Sequence, residues 1–257
     1  MSDDNATEAV RQWRAAAPGS VLLDGLHALK HAIRFDAEVR QVITSDKAGV
    51  LELAAGLAGD VTGRIGELLV EVPDHTLREL VPRGHTTRIA ALAARRDRTV
   101  NTAALEAPDR RAPVVVLDNP RNLGNVGAVV RLAAGFGAAG VVTTGDIDPW
   151  HPNAVRAGAG LHYATAVEQL PLDGFPPGPL YVLDPEGDDI RSVTVPDDAL
   201  LVFGSERHGV SPELRARASR LLALPMRPQV SSYNLATSVA MGLFHWAGPE
   251  QLPASRR

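Results

Sequence analysis

The chain has 257 residues, of which 45% are hydrophobic and 22% are charged, and its formal net charge is −4. This length can bury a sizeable core, as one large domain or as two modest ones. The negative net charge argues against a protein that coats nucleic acid non-specifically, because such binding is driven by excess positive charge. The sequence contains no cysteine, which excludes disulfides, thiolate metal sites and a cysteine nucleophile, and which fits a reducing compartment.

The sequence has the features of a protein that does not use a membrane. No apolar run approaches the roughly eighteen residues that a membrane-spanning helix needs. The N-terminal stretch MSDDNATEAV is acidic and polar, whereas a signal peptide is basic and then apolar. We therefore expect a cytoplasmic protein with no membrane partner.

The first part of the chain alternates between strand-like and helix-like patterns. Short apolar runs indicate strands, and apolar residues at helical spacing indicate helices. The predicted strands cover 21–23, 39–44 and 68–72, and the predicted helices cover 7–17, 25–35, 47–57 and 74–80. This alternation predicts a small layered domain with helices packed on a mostly parallel sheet.

The segment that follows is basic. Between residues 83 and 121 the sequence has eight arginines and four acidic residues, which indicates a polyanionic partner. Ile89, Leu92 and Ala93 form a weak helical stripe, and the stretch EAPDRRAP at 106–113 has the proline and charge content of a linker. We therefore expect two domains, 1–107 and 108–257.

Two histidines of the first part, His27 and His31, stand one helical turn apart, as some metal ligands do. A third ligand is not within reach in the sequence, and such pairs are usually ordinary helix-surface residues. We therefore expect no metal site.

From residue 113 the pattern becomes that of a parallel α/β domain. Its apolar runs predict about five strands, at 114–117, 140–144, 180–183, 200–203 and 221–226. Helices are predicted over 126–136, within 150–163, and after a Ser-Pro-Glu start at 211–213. The last predicted helix carries an apolar stripe, formed by Leu235, Val239, Leu243 and Trp246.

Two polar loops follow the runs 200–203 and 221–226, which we expect to be neighbouring parallel strands. An open α/β sheet binds small ligands in the crevice at the carboxyl ends of its strands. The side chains capable of chemistry are Ser205, Glu206, Arg207 and His208 in one loop, and Gln229, Ser231, Ser232 and Asn234 in the other.

The βαβ unit at 114–144 also allows a different interpretation, a nucleotide-cofactor oxidoreductase. Gly124 and Gly127 lie in its first turn, and Asp146 follows its second strand, where an acid would bind the ribose. The dinucleotide-binding fingerprint needs three glycines, and only two fall in this turn. The oxidoreductase is therefore a minor alternative.

Three stretches of the second half carry a family resemblance: DNPRNLGNVGAVVRLAAGFGA at 118–138, LVFGSERHGVSPEL at 201–214 and LALPMRPQVSSYNLATSVAMGL at 222–243. In order and spacing they resemble the three motifs of the SpoU/TrmH-type RNA 2'-O-ribose methyltransferases, of the SPOUT superfamily. The resemblance implies an α/β domain with a C-terminal trefoil knot, which binds S-adenosyl-L-methionine, and a homodimer. The first half more loosely resembles the small α/β RNA-binding domain that many of these enzymes carry before the catalytic domain.

The resemblance also implies site residues, position by position. The catalytic positions of the family match Asn125, Arg131, Glu206, Ser232 and Asn234. The cofactor-binding positions match Phe203, Gly204, Leu224, Met226, Ser232, Asn234 and Leu235, largely through backbone groups. Pro228 and Tyr233 stand where many members have Gly and Leu, so the cofactor loop is expected to be stiffer here, since proline fixes φ and lacks an N–H.

These residue types suit methyl transfer. The methyl group of a sulfonium is already activated, so the enzyme must mainly align it with the ribose hydroxyl and help that hydroxyl lose its proton. Arg131 is expected to orient the adjacent phosphate or, as proposed for the family, to accept the proton. Glu206 would orient Arg131 or a neighbouring backbone group, and the Asn and Ser side chains would position their partners by hydrogen bonds.

Each of these residues also has a purely structural interpretation. Arg131 would be a surface helix residue, Glu206 a solvated loop acid, and Ser232 or Asn234 a helix cap. A further alternative is a non-catalytic RNA-binding relative with the same fold. The loss of Arg131, Glu206 or Asn234 would indicate such a protein, but all three residues are present. The expected substrate is structured RNA, with ribosomal RNA slightly ahead of transfer RNA.

Overall fold

The computed structural model of the protein describes residues 3–82 and 84–251, so Arg83 of the basic segment lies outside the described residues. The chain divides into two compact units. The first unit contains the chain up to Arg96 and the segment Trp150–Ala164, and the second contains Asp97–Pro149 and the chain from Thr165 onward. Residues 97–107, which the predicted division assigns to the first domain, thus belong to the second unit.

The first unit is a four-stranded sheet in the order β1-β4-β2-β3 with helices packed on it. Its strands are β1 (Ser20–Asp24), β2 (Val39–Thr44), β3 (Leu69–Glu71) and β4 (Ile89–Ala94). Its helices are α1 (Asp3–Ala16), α2 (Leu26–Arg34), α3 (Lys47–Leu57), α4 (Thr62–Leu68), α5 (Asp74–Leu80) and, from the inserted segment, α8 (Pro152–Ala157). The predicted strands and helices are confirmed with slightly different ends, and α4 is an additional helix.

Strand β4 corrects two predictions about the first unit. The helical stripe at Ile89, Leu92 and Ala93 is wrong, because these residues belong to an inner strand of the sheet and are all buried. A short apolar run that is covered on both faces has no periodicity to separate strand from helix. The mostly parallel sheet is also wrong, since β4 pairs antiparallel with β1 and β2, while β2 and β3 are parallel.

The second unit is built on a six-stranded sheet in the order β10-β8-β9-β5-β6-β7, and every one of these pairings is parallel. Its strands are β5 (Val114–Leu117), β6 (Gly140–Thr143), β7 (Ala166–Gln169), β8 (Leu180–Asp189), β9 (Leu200–Phe203) and β10 (Arg220–Ala223). Its helices are α6 (Arg98–Leu105), α7 (Leu123–Phe136), α9 (Pro212–Ala216) and α10 (Leu235–Gln251). The predicted parallel α/β architecture is confirmed.

Three details of this sheet differ from the prediction. Strand β7 was not predicted, and β8 continues to Asp189, beyond the predicted strand at 180–183. At Gly187 the backbone of β8 passes so close to β10 that a Cβ atom would overlap the main chain of Leu221 and Leu222, where the register of the pair shifts. Strands β9 and β10, expected to be neighbours, are separated by β8.

Helix α10 packs its apolar stripe into the second unit. Leu235, Val239 and Leu243 are buried, and the helix contacts α7 and β9. The apolar stripe predicted from the sequence therefore packs within the chain itself at these three positions, while Trp246 is half-buried. Helix α6 likewise contributes Leu105 to the core of this unit. None of the described helices is both long and apolar enough to cross a bilayer.

Candidate active site

Three loops of the second unit follow the carboxyl ends of its strands. The first loop, 118–122, joins β5 to α7; the second loop, 204–211, joins β9 to α9; and the third loop, 224–234, joins β10 to α10. Strand β5 lies between β9 and β6, at the point where the strand order changes direction along the chain. Ligands of open parallel sheets bind at such a point.

Side chains from all three motifs meet in one hydrogen-bonded chain. The Nδ2 atom of Asn125 donates to Oε1 of Glu206 at 2.7 Å, and Nδ2 of Asn234 donates to Oδ1 of Asn125 at 3.1 Å. The amide of Asn125 therefore uses both its donor and its acceptor, which fixes its orientation between the other two side chains. Three of the five predicted catalytic residues are thus brought together.

Glu206 is also bonded to the first loop. Its Oε2 atom accepts a hydrogen bond from the backbone N–H of Arg121 at 3.3 Å. Of the two roles expected for Glu206, the structure contains the contact with a neighbouring backbone group. Among the described residues, Arg131 makes no contact of this kind with Glu206.

Asn234 makes both a helix-capping contact and a contact with another motif. Its Oδ1 atom accepts from the backbone N–H of Ala236 at 2.9 Å, which caps the start of α10, while its Nδ2 atom is directed to Asn125. Ser211 was expected to cap α9 and does occupy the capping position, but its side chain makes no capping bond. The two capping expectations thus have opposite outcomes.

Arg131 and Ser232 are exposed, and neither side chain forms a hydrogen bond or ion pair with any described residue. Arg131 lies on α7, six residues and so about one and two-thirds turns beyond Asn125. An exposed guanidinium without a partner among the described residues is available to an external anion, and its planar fork matches a phosphate.

The third loop has few internal bonds. Across 224–234 the described residues share one main-chain hydrogen bond, from the N–H of Val230 to the carbonyl of Arg227. The Tyr233 hydroxyl donates to the carbonyl of Pro225 at 3.0 Å, and Gln229 has a left-handed φ of 74°. Most main-chain groups of this loop are therefore left for solvent or a ligand.

The remaining predicted cofactor positions are half-buried or buried. Phe203 and Leu235 are almost fully buried, so a ligand would meet their main-chain atoms, while Leu224 and Met226 are half-buried. At Gly204 a Cβ atom would overlap the main chain of Gly209, so glycine is what allows the second loop to fold back there.

Asp118 was not singled out from the sequence, although its carboxylate is buried at this edge with a hydrogen bond to each oxygen. It is 7% exposed, accepts from the Thr144 hydroxyl at 2.9 Å, and accepts from the N–H of Ser211 at 2.7 Å. The available signal was an acidic residue placed directly after a four-residue apolar run, VVVL.

One of the two histidines of α2 is bonded to the main chain. The Nδ1 atom of His31 lies 2.8 Å from the carbonyl oxygen of Ala159, and burial lowers the pKa of this histidine. In the described part of the chain, no group of three or more His, Asp or Glu side chains is placed to hold a metal ion.

A parallel α/β sheet with three polar motif loops at one edge defines the class of protein. The model of the SpoU rRNA Methylase family matches residues 112–244, and the chain belongs to this family. The family expected from the three motifs is therefore confirmed.

Particular relatives agree with this family. A protein of Archaeoglobus fulgidus named "Uncharacterized tRNA/rRNA methyltransferase" is 33% identical over 145 residues, which is 51% of this chain and 61% of the relative. The 23S rRNA (adenosine(1067)-2'-O)-methyltransferase of Streptomyces laurentii is 32% identical over 142 residues, 51% of this chain and 52% of the relative. The chain thus spans little more than half the length of these curated relatives.

The fold has a close structural match over nearly the whole chain. The SpoU methyltransferase AviRb from Streptomyces viridochromogenes, solved with the cofactor AdoMet, superposes with a TM-score of 0.74. The match covers 92% of this chain and 96% of that chain at 20% sequence identity, so it establishes the fold.

Proposed function

We propose that this protein transfers a methyl group from S-adenosyl-L-methionine to a ribose 2'-hydroxyl in RNA, most specifically ribosomal RNA. The observation that carries the proposal is the chain of hydrogen bonds from Glu206 through Asn125 to Asn234. These residues come from three separate motifs, and a merely structural set of loop residues has no reason to converge on one amide.

The third loop fits the proposed cofactor. Its main-chain N–H and C=O groups are mostly unpaired among the described residues, and the half-buried side chains of Leu224 and Met226 provide apolar surface beside them. Pockets for small ligands combine apolar walls with a few polar groups, as an adenosine and a methionine chain require. When bound, this cofactor supplies an activated methyl group. The trefoil knot implied by the resemblance belongs to the same proposal.

The residues of the chain would then divide the work. Asn125, held from both sides, positions the ribose by hydrogen bonding, and Glu206 keeps Asn125 and the first loop in place. Arg131, which has no described partner, binds the neighbouring phosphate and lowers the cost of the charge that develops on the ribose oxygen. Ser232 in the third loop completes the set as a hydrogen-bonding group.

Ribosomal RNA is the proposed substrate because the family description and the Streptomyces relative both name rRNA. The residues proposed for methyl transfer all lie in the second unit. The first unit would then select the RNA, and its exposed Arg88 is a candidate for phosphate contacts. The exposed Arg98 of the basic segment is a further candidate and belongs to the second unit. Modification of ribosomal RNA also supports the proposed cytoplasmic location.

A homodimer is also proposed, on the resemblance and on one exposed side chain. Phe244 of α10 is 66% exposed, which is unusual for a large apolar residue on a helix whose other face is buried. Light scattering of the dilute protein tests this. A monomer mass accompanied by full activity would rule the dimer out.

The activity is tested with the full chain, S-adenosyl-L-methionine carrying a labelled methyl group, and ribosomal RNA from a strain that lacks the protein. We expect label on the 2'-oxygen of a defined ribose, located by methylation mapping. Arg191→Ala is the control for Arg131→Ala, because Arg191 is also an exposed arginine of the second unit and its ion pair among the described residues is with Asp189. Absence of label in ribosomal and transfer RNA, with tighter binding of NAD than of S-adenosyl-L-methionine in a titration, would favour the oxidoreductase instead.

A further inference from the structure

Asp118 touches three points at the edge of the second sheet. Its own N–H donates to the carbonyl of Phe203 at the end of β9, at 2.8 Å. Its Oδ1 atom accepts from the hydroxyl of Thr144 at the end of β6, and its Oδ2 atom accepts from the N–H of Ser211 at the end of the second loop. The hydroxyl of Thr144 in turn accepts from the N–H of Asn119 at 2.8 Å. The main-chain N–H of Asp118 therefore ties the first loop to β9, and its buried carboxylate ties the first loop to the end of β6 and to the second loop.

The second loop depends on such a tie for its position. Ser205 and Gly209 exchange two main-chain hydrogen bonds of 3.0 Å, so residues 205–209 close on themselves. This closure sets the shape of the loop tip, where Glu206 lies, but it does not place the tip against the first loop. The bond from Ser211 to Asp118 holds the far end of the loop at a residue only seven positions before Asn125.

We propose that Asp118 is a positioning residue that fastens the second loop to the first loop and so brings Glu206 to Asn125. The inference rests on the proposed function, although the fastening can be measured without it. A carboxylate is suited to this task because each oxygen accepts from a different donor. An asparagine has one accepting oxygen, and its NH2 group would face a donor or displace the Thr144 hydroxyl from its acceptor.

The variants Asp118→Asn, Asp118→Ala and Thr144→Val remove this tie in different degrees. Asp118→Asn retains one acceptor, Thr144→Val removes one donor, and Asp118→Ala removes both acceptors. Glu168→Gln is the matched control, because Glu168 is also a buried acid of the second unit, only 4% exposed. Glu168 lies on strand β7, and its Oε1 atom accepts a hydrogen bond from Nδ2 of Asn101 at 2.8 Å. If Asp118→Ala does not fold, the other two variants still decide the question.

The first measurement is backbone hydrogen exchange of residues 204–211 in the full chain without any ligand. We expect exchange there to become about tenfold faster in Asp118→Asn, the scale of a lost hydrogen bond to a charged acceptor, and less so in Thr144→Val. In Glu168→Gln the same amides should exchange at the wild-type rate, even if the protein is destabilised to a similar degree.

The second measurement separates kcat from KM in the methylation assay. We expect Asp118→Asn to lower kcat about tenfold and to leave KM for RNA within about threefold, because a displaced Glu206 harms alignment more than binding. Equal effects of Asp118→Asn and Glu168→Gln on loop exchange would overturn the proposal, and so would faster exchange with unchanged kcat. If the wild-type protein transfers no methyl group, the proposed function fails, and the exchange data alone then decide whether Asp118 holds the loop.

Discussion

The second and third loops follow strands of one sheet but differ in how far the chain itself fixes them. The second loop is closed by two main-chain hydrogen bonds and is held by the first loop at Ser211 and at Glu206. In the third loop the described residues share one main-chain bond, between Val230 and Arg227, and only its end at Asn234 is tied to the rest of the site.

The difference separates the part of the site that is ready before binding from the part that a ligand must complete. A loop that is already bonded loses little conformational entropy when a ligand arrives, whereas an unbonded loop must be ordered at that moment. We infer that the second loop is preorganised for the RNA side of the reaction and that the third loop is ordered by the cofactor. Arg131 resembles the third loop in one respect, because its side chain has no hydrogen-bond or ion-pair partner among the described residues.

The largest expected effect is at Arg131. Arg131→Ala should reduce methyl transfer by roughly a hundred-fold or more, the scale for removing a positioned charge-stabilising group, and should leave S-adenosyl-L-methionine affinity within a few-fold. Arg131→Lys should rescue poorly, since it restores the charge without the planar fork. Single-turnover rates and calorimetric titration measure the two quantities. Near-full turnover in the Lys variant would show that charge alone suffices. Loss of cofactor binding in the Ala variant would show that Arg131 acts on the cofactor and that its proposed role on the RNA side is wrong.

The next effect concerns the preorganised part. Glu206→Gln should lower turnover about tenfold, because its single accepting oxygen cannot serve both Asn125 and the N–H of Arg121. Asn125→Ala should have a similar effect, and the double variant should be scarcely worse than the more severe single variant, since both changes break the same contact. Steady-state kinetics of the four proteins give the coupling. Fully additive losses would show that the two residues act independently.

Cofactor binding should affect the two loops unequally. Saturating S-adenosyl-L-methionine should slow hydrogen exchange in the third loop, residues 224–234, by about tenfold or more, because this loop gains most of its hydrogen bonds from the ligand. In the second loop, residues 204–211, exchange should slow by less than about threefold. Strand β7, at the far edge of the sheet, serves as the internal control. Equal protection of both loops would show that the second loop is no more preorganised than the third.

The smallest effect is expected at the Tyr233 hydroxyl, which donates to Pro225 inside the third loop. Tyr233→Phe should weaken S-adenosyl-L-methionine binding by about two- to fivefold and change the free energy of unfolding by less than about 0.5 kcal/mol, since an exposed neutral hydrogen bond contributes little. Calorimetric titration and urea unfolding measure these effects. A loss of more than about 1 kcal/mol in unfolding would mean that the third loop is already ordered in the free protein.

The sequence by itself determined the parallel architecture of the second unit and the family. Runs such as 114–117 and 200–203 are continuously apolar because strands of a parallel sheet are buried on both faces, and this signal is local in the chain. The three motifs predicted a site at Asn125, Glu206 and Asn234, and the structure joins these three side chains by hydrogen bonds. A local pattern is sufficient where burial or motif spacing dictates residue type.

Only the tertiary structure decided which of these elements meet. Glu206 lies 81 positions from Asn125, and Asn234 lies 109 positions from it, so no local pattern encodes their contacts. The same limit explains the errors at β4, whose antiparallel pairing is set by strands far away in the chain, and at β9 and β10, between which β8 is inserted. The role of Asp118 was missed for this reason too. A buried carboxylate is tolerated only where donors converge on it, and the donors from Thr144 and Ser211 are brought there by the folded sheet.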